Sequence, residues 1–154
     1  ATLRLGFVVA PASLRDALRA AKFVADWHTA LPTQAALARF IQQGFFARHV
    51  RRMRVVYQAR HQRIVDALAD RFAGHLEVIP AAAGLHLAAT APGATDDDLA
   101  AVLRRASAAG VALLPLSMYG VDRPTRPGVV VGYGAIPTDR LDEGLRRLRG
   151  CFPD

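Results

Sequence analysis

The chain has 154 residues, of which 52% are hydrophobic and 21% are charged, and its formal net charge is +7. This length is enough for one domain with a real core, and the composition excludes an intrinsically disordered chain. The longest apolar runs, residues 7–12 and 111–116, are far shorter than the roughly 20 residues that a membrane span needs. No charged segment followed by an apolar one precedes them, and we therefore expect a cytoplasmic protein.

The positive charge comes almost entirely from arginine, because Lys22 is the only lysine. Clustered arginines neutralise nucleic-acid phosphates, and residues 48–54 look like a basic recognition helix. These residues lack the preceding helix and tight turn that dock a recognition helix into a DNA groove. We therefore favour the alternative that they form a solvated or interface-facing stripe on a long helix. The single Cys151 excludes an internal disulfide and a cysteine-based metal site.

The sequence opens with an apolar segment, residues 1–11, that predicts a β-strand. A lone strand cannot bury its own apolar side chains, so we expect the chain to be a piece of a larger protein. A helix follows, with Ser13 as its cap and Asp16 at the third position, and it is expected to end near Trp27.

A break over residues 28–32 separates this helix from the next, which Thr33 can cap and Gly44 can end. A long helix is then predicted from about residue 45 to residue 72. Its apolar residues follow steps of three and four along one stripe, and arginines crowd its other face. The stripe consists of Val50, Met53, Tyr57, Ile64 and Leu68.

Past Gly74 the apolar period changes to two, and residues 76–79 and 85–90 are predicted as strands. Thr95 and the three aspartates after it favour a helix start, because carboxylates stabilise the positive end of a helix. Gly110 is expected to close that helix.

Residues 111–114 are predicted as a third strand, residues 117–128 as a loop and residues 129–133 as a fourth strand, and Thr138 opens the last helix. The order strand, strand, helix, strand, strand, helix predicts a small sheet covered by helices. The predicted fold class is therefore α+β, an α/β two-layer arrangement.

The motifs predict no catalytic residue and no metal site. The five histidines include no His-x-x-x-His pair, and none has a carboxylate at helical spacing or a cysteine partner, as a metal site would need. Gly132-Tyr133-Gly134 lacks the third glycine of a dinucleotide fingerprint, and Ser117 lies in no nucleophile elbow. Lys22 is the only possible imine-forming amine, and its amphipathic helix predicts a surface position, whereas such a lysine needs a desolvated one.

Five motifs occur in order along the chain. They are Leu3-Arg4-Leu5-Gly6-Phe7, Leu31-Pro32-Thr33-Gln34-Ala35, the run from Phe46 to Arg54 with Tyr57, Ala83-Gly84-Leu85-His86, and Gly132-Tyr133 before Leu141-Asp142-Glu143-Gly144. This ordered set covers essentially the whole chain and resembles the C-terminal part of MocR-type regulators of the GntR superfamily. Those proteins fuse an N-terminal winged helix-turn-helix to a body that resembles a fold-type I, pyridoxal-phosphate-dependent aminotransferase.

The resemblance implies an aspartate aminotransferase-like small C-terminal domain with a long connecting helix. Arg4 is then expected to contact the cofactor phosphate, since a guanidinium suits phosphate oxygens, and a charge on an edge strand is the alternative. Thr29 is a second candidate contact, within the segment 28–34 that approaches the neighbouring subunit's cofactor. Thr33 in the same segment is better explained as a helix cap.

Related transaminases carry a substrate-carboxylate arginine in the strand that corresponds to residues 129–131, which holds only valine here. Arg126, just before that strand, is the candidate residue to bind the substrate carboxylate in place of the missing arginine. Because Arg126 lies outside the strand, its position argues against amino-acid turnover. The family's imine lysine is expected upstream of Arg4, outside this chain. The chain alone is therefore predicted to bind no cofactor and to be inactive.

The resemblance divides the chain into residues 1–32, the end of the large-domain sheet, residues 33–74, the connecting helices, and residues 75–154, the small α/β domain. It implies a homodimeric transcription regulator that binds DNA through a winged-helix domain and senses pyridoxal phosphate or an amino compound. Two alternatives stay open. One is a genuine class I/II aminotransferase, and the other is an interaction scaffold with no ligand of its own.

Overall fold

The structure is a computed structural model that describes residues 3–81, 84–120 and 126–153. The chain divides into two compact units, unit one (Ala1–Arg52) and unit two (Met53–Asp154), and one long helix, α3 (Phe45–Arg71), contributes residues to both. The three-part division at residues 32 and 74 concerns the parent protein and stays a prediction.

The first described residues of unit one form no strand. Residues 4–11 carry no strand assignment, so the strand predicted over residues 1–11 is wrong for the part of it that is described. A strand exists only where a second strand supplies its hydrogen bonds, and the described part of unit one contains no other strand. Arg4 also interrupts the extended backbone, because its φ of +51° lies in the left-handed region.

Helix α1 (Arg15–Asp26) follows directly on a 3₁₀ turn (Ala12–Leu14). The cap predicted at Ser13 is wrong, because Ser13 lies inside this turn. The residue before α1, Leu14, is already in the helical region, whereas a capping residue has an extended backbone. The predicted end of the helix at Trp27 is confirmed, and the φ of +58° at that residue stops the helix.

Helix α2 (Leu31–Gln42) begins before the position that a Thr33 cap requires, so this predicted cap is also wrong. Pro32 occupies the first turn of α2, where its missing N–H costs nothing and its fixed φ suits the helix. Thr33 consequently lies inside the helix. Gly44, with a φ of +75°, separates α2 from α3 as predicted.

The described part of unit one has no apolar core of its own. Neither α1 nor α2 contains a buried residue, and Phe7 is 90% exposed. Phe23 and Trp27 cover each other only partly, by stacking with 5.2 Å between ring centroids. The other large apolar side chains exposed here are Leu3, Val8, Val9, Leu14, Leu18, Val24, Leu31, Phe40, Ile41, Phe45, Phe46 and Val50.

The long helix α3 matches its predicted bounds to within one residue. Its apolar stripe is buried only toward the C-terminal end, where Ile64 and Leu68 are fully inaccessible and Ala67 is buried beside them. At the other end of the stripe, Val50 is exposed. The same helix therefore contributes to a core only over its last turns.

Unit two contains a four-stranded antiparallel sheet. Its strands are β1 (Glu77–Ile79), β2 (His86–Thr90), β3 (Leu114–Pro115) and β4 (Gly128–Gly132). They lie in the order β1-β2-β4-β3, so the two central strands come from different halves of the unit.

Helix α4 (Asp96–Ala108) begins where Thr95 and the three aspartates predict it, and a cap that was not predicted holds this start. The Thr95 hydroxyl accepts a hydrogen bond from the backbone N–H of Asp98 at 3.2 Å, and the Asp98 carboxylate accepts one from the N–H of Thr95 at 3.0 Å. This reciprocal pair is a capping box. Since the Thr95 hydroxyl also donates to the carboxylate at 2.6 Å, these bonds hold the pKa of Asp98 below its usual value.

Replacing Thr95 by alanine is expected to lower the free energy of unfolding by about 1 kcal/mol, because α4 loses its cap. The pKa of Asp98 should rise toward its ordinary value in the variant. A carboxylate with a depressed pKa stabilises the fold above the ordinary aspartate pKa and loses that contribution as pH falls, so the deficit should shrink in acid. Denaturant unfolding and NMR titration of Asp98 measure both effects. Ser107→Ala on the same helix is the control, and an unchanged Asp98 pKa in Thr95→Ala would contradict the assignment.

The predicted third strand over residues 111–114 is placed too early. The N–H of Val111 donates to the carbonyl of Ala106 at 2.8 Å, so Val111 completes the C-terminal turn of α4 and does not pair with another strand. Gly110, with a φ of +76°, allows this turn as predicted. Pairing with β4 begins only at Leu114.

The chain ends in a 3₁₀ turn (Thr138–Arg140) followed by α5 (Leu141–Arg149). Side chains of α3, α4, α5 and the strands form one buried cluster. Within residues 75–154 the predicted order of strands and helices is confirmed, and the predicted α+β class is confirmed with it. The residues with the largest fully buried side chains are Phe72, Ile64, Leu68, Leu87, Leu148 and Val129.

Candidate functional site

The three candidate ligand contacts lie in different parts of the chain. Arg4 and Thr29 belong to unit one, and Arg126 belongs to unit two. No hydrogen bond or ion pair of the described residues joins any two of them. Their roles therefore stay predictions that depend on the resemblance.

Arg4 is exposed and stands at the left-handed turn near the start of the described chain. A positive φ at an arginine is uncommon and fixes the direction in which the backbone leaves the residue. Its guanidinium offers five N–H donors in a planar fork, which is the geometry that phosphate oxygens accept best.

Thr29 lies in the short connection between α1 and α2 and is held by two hydrogen bonds. Its hydroxyl accepts a bond from Nζ of Lys22 at 3.2 Å, and its carbonyl accepts one from Nε2 of Gln34 at 2.9 Å. The hydroxyl proton remains able to donate to an acceptor. Lys22 also forms an ion pair with Asp26, and about half of its side chain is exposed, as expected for a surface lysine.

Arg126 is exposed and lies two residues before β4. The next residue, Pro127, is tied to the sheet, since its carbonyl accepts a bond from the N–H of Ala91 at 2.7 Å. In β4 itself, Val129 and Val130 are both buried, and Val129 belongs to the buried core cluster. The predicted loop over residues 117–128 lies partly outside the described residues, and within it residues 117–119 belong to a 3₁₀ turn (Leu116–Tyr119).

Unit two contains a polar cluster that no local sequence pattern predicts. Arg60 of α3 donates to the carbonyls of Tyr133 at 3.2 Å and Gly134 at 3.0 Å, and to the hydroxyl of Thr138 at 3.0 Å. One guanidinium thus binds the end of β4 and the beginning of the turn before α5. Its planar fork of donors makes three such bonds possible at once.

Tyr133 belongs to the same cluster and is almost fully buried. Its hydroxyl donates to the carbonyl of Gly84 at 2.9 Å and lies 3.3 Å from Nδ1 of His61. Burial raises the pKa of Tyr133, so the phenol keeps its proton and remains a donor. The cluster therefore anchors the start of β2 and the end of β4 to α3.

A second polar link joins α3 to α5. Arg63 binds the Asp142 carboxylate with two donors, one of them at 2.8 Å between Nε and Oδ1. The hydrogen bonds from Arg63 hold the pKa of Asp142 below its usual value. Neither residue is deeply buried, so the pair aligns the two helices at the protein surface.

Replacing Arg63 by glutamine is expected to raise the pKa of Asp142 and to weaken the acid dependence of stability. Because the folded-state pKa is depressed, the pair stabilises the fold above the ordinary aspartate pKa and loses this contribution as pH falls through the folded value. Denaturant midpoints measured from about pH 7 to about pH 3 should fall less steeply in the variant. Arg54→Gln on the same helix is the matched control, and equal slopes in all three proteins would contradict the assignment.

The described part of the chain offers little support for other classes of site. Its residues contain no group of three or more histidine, cysteine, aspartate or glutamate side chains that could hold a metal ion. None of its helices combines the length and the apolar character that crossing a bilayer requires.

The antiparallel sheet of unit two, the helices that cover it and the C-terminal part of α3 define an aminotransferase-like domain. The chain belongs to the aminotransferase class I and II family, which matches residues 1–148. The MocR-type resemblance of the sequence is confirmed by its relatives, several of which are transcriptional regulators.

The chain is 34% identical over 151 residues to the probable rhizopine catabolism regulatory protein MocR of Rhizobium meliloti, covering 98% of this chain and 30% of that protein. It is 26% identical to the HTH-type transcriptional regulator YhdI of Bacillus subtilis, covering 98% of this chain and 32% of that one. The chain thus spans about a third of the length of the curated relatives it matches.

Among solved structures, the fold is similar to that of LysN, an α-aminoadipate aminotransferase of Thermus thermophilus. The TM-score is 0.86 at 24% identity, and the match covers 97% of this chain and 38% of that chain. LysN was solved as a complex with N-(5'-phosphopyridoxyl)-L-leucine. At this identity the similarity shows the fold alone.

Unit one supplies only part of what a pyridoxal phosphate site needs. Arg4 and Thr29 carry donors suited to a phosphate group. The amine of Lys22, however, is bound to the Asp26 carboxylate and the Thr29 hydroxyl, whereas an imine-forming amine must be desolvated or have its pKa lowered by a neighbouring cation. The described residues therefore do not fit a covalent pyridoxal site.

Proposed function

We propose that this chain is the C-terminal, aminotransferase-like part of a pyridoxal-phosphate-dependent, DNA-binding transcription regulator of MocR type. The observation that carries the proposal is the 34% identity to MocR over 98% of the chain, together with a class I and II aminotransferase fold. In the parent, a winged-helix domain outside this chain binds DNA, and the aminotransferase-like body forms a homodimer that senses pyridoxal phosphate or an amino compound.

In the parent protein, pyridoxal phosphate supplies an aldehyde carbon that reacts with primary amines. Arg4 binds the cofactor phosphate through its guanidinium fork, and Thr29 adds a hydroxyl donor from the segment that approaches the neighbouring subunit. Arg126 is the candidate partner for a substrate or effector carboxylate. The imine lysine is contributed by a segment that precedes Arg4 in the parent.

The absence of an arginine from β4 favours a sensor over an enzyme. The residues of β4 are glycine and valine, so this strand offers no cation to a substrate carboxylate. An exposed Arg126 outside the strand can bind a carboxylate, but its backbone position is set by the pairing of Pro127 and Ala91. We propose that the parent binds an amino compound without turning it over efficiently.

The first experiment tests whether the chain alone is inert. The 154-residue chain is mixed with pyridoxal phosphate, its imine absorbance is recorded, and borohydride is added before mass spectrometry. No imine band and no stoichiometric adduct are expected, because the Lys22 amine is occupied by Asp26 and Thr29. Lys22→Arg should behave identically. A stoichiometric adduct at Lys22 would overturn this part of the proposal.

The second experiment separates the regulator from the genuine aminotransferase. The parent protein is assayed for DNA binding with and without pyridoxal phosphate and for transaminase turnover with a panel of amino acids. Cofactor-dependent DNA binding with negligible turnover is expected. Efficient turnover without DNA binding would instead support a class I/II aminotransferase, the alternative that the sequence leaves open.

A further inference from the structure

A surface cavity of about 410 Å³ lies in unit two. Helix α4 forms one wall, and the turn after α3, the connection from β2 to α4 and the segment after α5 form the others. Its volume falls in the range that small-molecule ligands use. None of Arg4, Thr29 and Arg126 lines it.

The floor of the cavity is apolar and held in place by the core. Leu99 and Val102 reach it from α4 and are 4% and 5% exposed. Phe152 closes the side, and its ring packs edge-on against the buried Phe72 at 5.6 Å and beside His75 at 5.4 Å. Because Phe72 is fully buried, the Phe152 wall is fixed before any ligand arrives.

Two opposite charges stand along the cavity on the same face of α4. Asp98 and Arg105 are seven residues apart, which places them two turns and about 10 Å from each other along the helix axis. Neither takes part in an ion pair with the residues that the structure describes. Within the described residues, neither charge is therefore neutralised by an oppositely charged side chain.

Each of these charged groups is held by the protein itself. The Asp98 carboxylate is fixed by the capping box, and the bonds from Thr95 keep its pKa low, so it is ionised at neutral pH. Nε of Arg105 donates to the carbonyl of Cys151 at 2.9 Å, which leaves four further N–H donors on the guanidinium. Fixed groups lose little conformational entropy when a ligand binds.

We propose that this cavity binds a short, linear zwitterion with an apolar body, namely an aliphatic di- or tripeptide, whose ammonium group pairs with Asp98 and whose carboxylate pairs with Arg105. An extended peptide advances by about 3.3–3.6 Å per residue, so two or three residues span the two charges. A free amino acid carries both charges on one carbon and reaches only one of them. The aliphatic side chains cover Leu99, Val102 and Phe152.

The ligand series tests the proposal without altering the protein. Trileucine is titrated into the 154-residue chain and followed by NMR, with free leucine, N-acetyl-trileucine and trileucine amide as the comparison ligands. Saturable shifts at α4 and Phe152 are expected, and removing either terminal charge should weaken binding by about tenfold or more. Equal binding of trileucine and its amide, or no saturable shift at millimolar trileucine, would overturn the proposal.

Matched variants test the assigned residues. Arg105→Gln should weaken trileucine binding by about tenfold and leave the affinity for trileucine amide nearly unchanged. Arg104→Gln removes the same charge one residue away, outside the cavity lining, and should bind trileucine normally. Near-UV circular dichroism checks that each variant is folded. The same loss of affinity in both variants would mean that net charge alone attracts the peptide, which also contradicts the proposal.

Discussion

Replacing Phe72 by alanine is expected to lower the free energy of unfolding by about 3–5 kcal/mol. Phe72 has no exposed surface and follows the last residue of α3, where it packs against Phe152 with 5.6 Å between ring centroids. Truncation would remove its buried apolar surface and leave a void that close-packed neighbours fill only in part. Denaturant unfolding, monitored by circular dichroism and by tertiary fluorescence or NMR, measures the loss.

Phe7→Ala is the matched control, because Phe7 is 90% exposed in unit one. Truncating an exposed side chain usually changes stability by no more than about 0.5 kcal/mol. If Phe72→Ala were as mild as Phe7→Ala, the buried cluster that joins α3 to the end of the chain would not be the core of unit two.

Replacing Gly128 by alanine is expected to be the second most disruptive change, with a loss of about 1–3 kcal/mol or more. A Cβ at this position would lie 2.5 Å from the carbonyl oxygen of Ala89 and 3.1 Å from the Cα of Thr90. These are backbone atoms of β2, so the clash can be relieved only by moving the central strand pair apart. Thermal and denaturant unfolding should both register the loss.

Gly132→Ala, at the other end of β4, is the control for this prediction. Its added Cβ would meet the His86 ring at 3.3 Å, and that exposed side chain can rotate away. A loss below about 1 kcal/mol is expected there. Equal losses at the two glycines would show that strand propensity, and not the approach of β2 to β4, controls the effect.

The sequence predicts best those elements that depend on neighbouring residues. The start of α4 is predicted from Thr95 and the three aspartates directly after it, and the helix begins at Asp96. Local signals fail where two of them compete. Pro32 favours a first turn of α2 that begins at Leu31, so Thr33 lies inside the helix and does not cap it. Val111 completes the end of α4 instead of opening a strand.

Contacts between distant residues could not be predicted in the same way. Arg60 was one arginine among many on a polar face, and nothing local distinguishes it from Arg54. Its partner carbonyl at Tyr133 is 73 residues away, so the contact exists only once β4 and α3 are brought together. The roles of Arg4 and Thr29 depend on partners outside the contacts of this chain and stay predictions for the same reason.

The uneven burial of α3 has a consequence for amide hydrogen exchange. Ile64, Ala67 and Leu68 are buried near its C-terminal end, whereas residues 45–52 at its N-terminal end are exposed. Amides around Leu68 should exchange only when unit two unfolds globally, and those around Val50 should exchange through local fraying of the helix. The amide protection factors along this one helix therefore show at which residue the protection given by the core of unit two ends. In the proposed parent, the residues before that point lead along the chain to the cofactor contacts.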